Sequence, residues 1–206
     1  MNNKLIAYIQ ENVIPRYESF DKAHNLEHVV AVIERSMMLA QHYEVDVDMV
    51  YTIAAYHDLG LCQGRELHHI VSGQILLADV VLQQWFTPQQ LSIMRDAVED
   101  HRASNKHVPR TIYGRIVAEA DRLIDPELTL RRTVQYGIKH LDTTNRELHY
   151  ERFCHHLQEK YAEGGYLKLW LPESDNAARL AQLRAIIDDK ELLRTKFDEI
   201  YNQELL

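Results

Sequence analysis

Apolar residues recur at spacings of three and four along almost the whole chain, and that periodicity commits it to packed helices. Leu5, Ile6, Ile9 and Val13 fall on one helical face; Val29, Val32, Ile33, Ser36, Leu39 and Ala40 fall on another. Turn formers are scarce, with 7 Gly and 5 Pro in 206 residues, fewer than a many-stranded protein needs for its turns. The pattern predicts an all-α fold with helices over 4–16, 25–43, 47–58, 67–85, 88–101, 111–124, 127–141, 145–161 and 174–204, the last broken near Asp188.

Several boundaries carry start signals. Thr87 precedes Pro88 and stands three residues before Gln90, which combines an N-cap, a proline at the first helical position and a capping-box partner. Asp125 before Pro126 closes one helix and opens the next, because the proline drives the preceding residue out of the helical region. Ser174 and Asp175 are expected to cap the terminal helix. The Gly164–Gly165 pair is the nearest approach to a linker, and the terminal helix, with Leu180, Leu183, Ile187, Phe197 and Ile200, is expected to pack back on the core. The length suits one domain, 1–206, with a helical extension at about 126–206.

Composition limits the partners. A formal net charge of −8 repels phosphate backbones over the surface as a whole, which argues against a nucleic-acid polymer. A small anion remains compatible with such a surface when metal cations supply the positive charge. No apolar run reaches the roughly 20 residues of a membrane span, and the first twenty residues lack a signal-type apolar stretch, so a cytoplasmic protein without a membrane partner is expected. Cys62 and Cys154 are too few and too far apart for a disulfide framework or a zinc ribbon. The long terminal helix offers a surface for a homodimer.

The chemistry lies among the 12 histidines. His57 is followed directly by Asp58 at the end of the apolar stretch MVYTIAAYHDLG. Adjacent helical residues point about 100° apart, yet at a helix terminus the last turn and the following Gly60 let an imidazole and a carboxylate converge on one cation. His28 opens the amphipathic helix of HNLEHVVAVIERSMMLA, and Asp121 lies in the apolar run GRIVAEADRLID. An aspartate between Ala118, Ala120 and Leu123 needs a partner, because an unpaired buried carboxylate is strongly destabilising. A cation among His28, His57, Asp58 and Asp121 supplies one. Two imidazoles with two carboxylates suit divalent Mn, Fe, Co, Ni or Zn better than Ca.

The order His, HisAsp, distant Asp in a helical chain resembles the HD superfamily of metal-dependent phosphohydrolases, over a stretch from about His24 to Leu123. The phrases EHVVAVIERSMMLA, AAYHDLG and IVAEADRLID look like its successive motif helices. The resemblance implies an HD-type helical bundle, with the motif region at about 24–125, in which His28, His57, Asp58 and Asp121 ligate metal. His69, four before Gly73 in HHIVSGQIL, looks like the H-x3-G helix start of two-metal members. His69 and His101 would then hold a second ion, with Asp58 bridging, and His68 is the alternative to His69. One or two ions per chain are expected.

The implied activity is hydrolysis of a phosphomonoester or phosphodiester in a small phosphorylated metabolite or nucleotide, with catalysis centred on Asp58, His69, His101 and Arg102. Such a substrate calls for cations beside the metal. Arg102, Lys106 and Arg110 in HRASNKHVPR, Arg122 beside Asp121, and the helical stripe Arg132, Tyr136 and Lys139 are the candidate substrate contacts. Two other readings share the pattern: an HD-type di-iron oxygenase, and a non-catalytic metal- or ligand-binding module.

Overall fold

The computed structural model describes residues 1–20 and 24–205, and among these it has α-helices and short 3₁₀ turns but no strand. The helices are α1 Asn3–Asn12, α2 Leu26–Ala40, α3 Val47–Tyr56, α4 His68–Ala78, α5 Pro88–Asp100, α6 Ile112–Asp121, α7 Pro126–His140, α8 Arg146–Lys160, α9 Asn176–Asp188 and α10 Lys190–Glu204. The all-α class expected from the periodicity is the class observed.

The punctuation follows local chemistry. Thr87 and Gln90 form the reciprocal capping box at α5, and the Asp125 carboxylate accepts the Leu128 N–H at α7. The first helix stops at Asn12, short of the expected residue 16, because Pro15 has no N–H to continue the ladder; the chain passes into a 3₁₀ turn over Ile14–Ser19. The expected helix over 67–85 is also two pieces. Asp79 leaves the helical region, accepts the Val81 N–H to start a second 3₁₀ turn, Val80–Gln84, and receives the hydroxyls of Tyr8 and Tyr56 at 2.6 and 2.5 Å. The expected break near Asp188 falls at Asp189, whose side chain caps α10. The cap expected from Ser174 and Asp175 is corrected: the Ser174 hydroxyl donates to Glu119, and the Asp175 carboxylate receives Arg179 Nε.

Contacts within the chain group it into two compact units. The first comprises Met1–Arg122 with Trp170–Ser174, and the second Leu123–Leu169 with Asp175–Leu206. In the second unit α7 and α8 pack on each other, and α9 and α10 pack on them around Leu157, Leu183 and Phe197. Its surface is tied by ion pairs such as Arg146 with Asp198 and Arg194 with Glu147.

In the first unit, α3 is the axis. Every residue from Met49 to Tyr56 is buried, which is the behaviour of a helix that is apolar all round, and α1, α2, α5 and α6 pack against it. The segment 170–174 joins this unit because the buried Glu119 carboxylate accepts the N–H groups of Trp170 and Leu171. The residues that end α3 are therefore sealed too: His57 is 0% and Asp58 3% exposed. No helix among the described residues is long and apolar enough to cross a membrane.

Just beyond Asp58, Gly60 lies under the start of α4. A Cβ built there would stand 2.0 Å from the His68 carbonyl oxygen and 2.6 Å from the Ser72 nitrogen, and the Gly60 N–H donates to Ser72 Oγ at 2.8 Å. Only a glycine admits this approach of backbone to backbone. Gly60→Ala is expected to cost about 1–3 kcal/mol through forced displacement of α4, measured by urea unfolding; an unchanged unfolding midpoint would show that the approach is not required.

Candidate metal centre

Three helix ends and two helix starts deliver the side chains. Asn25 caps α2, its carboxamide oxygen taking the His28 N–H at 3.2 Å, which fixes His28 on the first turn. His57 and Asp58 follow α3, His101 follows α5, Asp121 closes α6 and His68 opens α4. Short elements ending at one place have converted distant sequence positions into a single cluster.

The cluster has two halves that share Asp58. In the first, His28 Nε2 and His57 Nε2 lie 3.2 Å apart and stand 3.5 and 3.3 Å from Asp58 Oδ2. Asp121 Oδ1 completes it at 3.3 Å from His28 Nε2 and 3.8 Å from His57 Nε2. In the second, His68 Nε2 and His101 Nε2 lie 3.2 Å apart and stand 3.5 and 3.4 Å from the other oxygen, Asp58 Oδ1.

The hydrogen bonds decide what these donors can hold. His57 Nδ1 lies 2.7 Å from the Ala54 carbonyl, His68 Nδ1 2.8 Å from that of Arg65, and His101 Nδ1 2.6 Å from that of Val98. A carbonyl only accepts, so each Nδ1 carries the proton and each neutral ring turns a bare Nε2 lone pair inward. Imidazoles oriented in this way are the usual form of histidine ligands. Ring nitrogens facing one another at 3.2 Å beside two carboxylates mark a place where a cation would be held. The donor set thus fits divalent metal ions of the Mn to Zn series, and His28, His57 and Asp58 on one side and Asp58, His68 and His101 on the other form two groups able to hold one.

The electrostatics point the same way. Burial opposes charge on His28, but hydrogen bonds with Asp121 and Asp58 carry it up to about 9. His101 is raised against its burial by Asp58. Burial would raise the two carboxyls, yet His57, His101 and His28 hold Asp58, and His28 holds Asp121, well below the usual carboxylate range. The site concentrates negative charge and draws positive charge to it.

Residues 25–124 match the family model of the HD domain. The chain carries an HD domain. Over 121 residues, 53% of its length, it is 29% identical to a tRNA (cytidine(56)-2'-O)-methyltransferase of Thermoplasma volcanium, and it spans only 35% of that relative. A crystal structure of a predicted HD superfamily hydrolase from an uncultured Thermotogales bacterium aligns with a TM-score of 0.49 at 19% identity, covering 75% of this chain and 86% of that one.

Within the HD domain one expected ligand changes. His68, not His69, faces Asp58. Along α4 the inward stripe is His68, Ser72 and Leu76, all one turn apart, whereas Leu77, in step with His69 and Gly73, is exposed. Gly73 is small for a different reason: a Cβ would press on Arg95 and Glu99 of α5 at 3.0 and 3.2 Å. The spacing from His69 to Gly73 is therefore a packing feature. His69 Nδ1 instead lies 3.5 Å from Arg102 Nη1, and burial together with Arg102 lowers its pKa to about 4.

The basic residues separate by role. Arg102 lies at the rim, donating through Nε to Ser104 Oγ at 2.9 Å and through Nη1 to the Glu66 carbonyl; Lys106 is exposed further along the same loop. Arg110 does not face a ligand as expected. Its guanidinium is taken by Asp100 at 2.9 Å, Glu99 at 2.8 Å and Asp96 at 3.1 Å, so its charge is already compensated. Arg122 is buried and donates through Nη1 to the carbonyls of His101 and Ala118, which makes it a clamp between the ends of α5 and α6. Arg132, Tyr136 and Lys139 lie together on the exposed face of α7 in the second unit, where the Tyr136 ring carries the Arg152 guanidinium at 4.6 Å.

These positions predict that His68→Ala lowers the manganese content of the purified chain, read by elemental analysis, by about one ion, while His69→Ala keeps the wild-type content. The reverse result would return the ligand role to His69.

Proposed function

We propose that the chain is a metal-dependent phosphohydrolase that cleaves a phosphoester of a small phosphorylated metabolite or nucleotide. The observation that carries this reading is the sharing of one buried carboxylate, Asp58, by two histidine groups, its two oxygens directed to different halves. A structural metal site is closed to solvent, whereas this cluster keeps some access: the Asp121 and His68 side chains retain 21% and 14% exposure. His28, His57, Asp58 and Asp121 would hold one ion, and Asp58, His68 and His101 a second. When bound, such ions supply Lewis acidity and a water ionised near neutral pH.

The protein's own part is to hold and to orient. Backbone carbonyls lock three imidazoles so that no rotation is needed as a substrate arrives. Arg102, held by a hydroxyl, a carbonyl and the His69 ring nitrogen, would take a phosphoryl oxygen, with the exposed Lys106 of the same loop as a second cation. Arg122 keeps the His101 end of α5 against α6. The formal net charge of −8 disfavours a nucleic-acid polymer as substrate, and the methyl transfer named for the Thermoplasma volcanium relative is not carried over from a match to about a third of that protein.

The test is phosphate release by the manganese-loaded chain from p-nitrophenyl phosphate, bis(p-nitrophenyl) phosphate and a series of nucleotides. Asp58→Ala is expected to abolish release, and Arg102→Ala to lower kcat/KM roughly 10- to 100-fold, the worth of a hydrogen bond to a charged group, chiefly through KM. A fully loaded chain without turnover on any phosphoester would defeat the reading. Oxygen uptake by the iron-loaded chain in that case would establish the oxygenase alternative.

A further inference from the structure

Every ligand discussed so far lies inside the matched stretch 25–124, yet a hydroxyl from outside it holds the HisAsp pair in shape. In a continuing α-helix the Asp58 N–H would bond to the Ala54 carbonyl. That carbonyl is occupied by His57 Nδ1 at 2.7 Å, and Asp58 has left the helix, with φ −110° and ψ 4°. The Asp58 N–H is instead received by the hydroxyl oxygen of Tyr17 at 3.3 Å, and the same hydroxyl donates to the Ala55 carbonyl at 2.9 Å. Tyr17 lies on the 3₁₀ turn before the matched stretch, is fully buried, and packs its ring edge-on against Phe20 at 5.3 Å and beside His57 at 6.4 Å.

One hydroxyl thus bridges the Ala55 carbonyl, in the last turn of α3, to the amide of the shared ligand, replacing the helical turn that is not made. Because that turn is not made, the His57 and Asp58 side chains reach the same point instead of diverging around the helix. We infer that Tyr17 is a positioning residue of the metal centre, supplied by the segment ahead of the HD domain. The inference rests on the metal-centre reading above.

Tyr17→Phe keeps the ring and removes only the bridge. Phe20→Leu loosens the ring's packing and keeps the bridge. Metal-free wild type and both variants are titrated calorimetrically with manganese. Tyr17→Phe is expected to bind it roughly 10- to 100-fold more weakly, as for loss of a group that orients a ligand, while Phe20→Leu stays within about threefold, as substitutions remote from a site do. In the wild type, the Asp58 amide is expected to exchange its hydrogen slowly, a measurement that needs no variant to fold. Unchanged affinity in Tyr17→Phe, an equal loss in Phe20→Leu, or an Asp58 amide that exchanges like an exposed one each overturns the role of Tyr17 alone. A wild type that takes up no manganese overturns the metal-centre reading and this inference together.

Discussion

The structure of the first unit turns on one buried charge. Asp58 is almost fully removed from water, and a carboxylate in that position is tolerated only when positive charge or strong hydrogen-bond partners stand around both oxygens. Two helix ends and two helix starts are brought to it for that purpose, with His28 and His57 at one oxygen and His68 and His101 at the other. The apolar girth of α3 is what makes the burial possible, because only a helix covered on every side can carry its terminal residues into the interior. Gly60 then lets α4 come close enough to present His68.

A single local device orients three of the four imidazoles. His57, His68 and His101 each direct Nδ1 to the carbonyl three residues earlier. For His57 and His101 these are carbonyls of the last turn, where a helix leaves acceptors with spare capacity; the Val98 carbonyl takes the His101 N–H as well, at 3.4 Å. The ends of α3 and α5 thereby satisfy their own backbone and fix a ring in the same contact. The helix termini are part of the site because they are termini: an interior position has no spare carbonyl to lend.

The basic residues of the 102–110 loop show how one stretch of charge divides. Arg110 is anchored by Asp96, Glu99 and Asp100 and shapes the loop, while Arg102 is held by neutral oxygens and the His69 ring nitrogen. Arg122 is removed from solvent, and burial lowers its pKa; its work is to hold backbone carbonyls in place. Three guanidiniums close in sequence to ligands therefore do three different things, according to which acceptors reach them first.

The helical class, nearly all the helix positions, and the candidacy of His28, His57, Asp58, His101 and Asp121, which the structure gathers into one cluster, were legible in the sequence, since periodicity, caps and a HisAsp pair at a helix end are local signals. Local signals could not tell His68 from His69, because neighbours in a helix differ by about 100° in direction and only the packing of α4 on Gly60 and α5 selects which one faces inward. Nor could they show that Arg110 is neutralised by carboxylates of α5, that Asp79 interrupts a helix to receive two tyrosine hydroxyls, or that Tyr17 meets the Asp58 amide 41 residues away. Those outcomes depend on distances between elements, and distances between elements are set by how side chains fill the space among helices, a property of the assembled chain that no single segment contains.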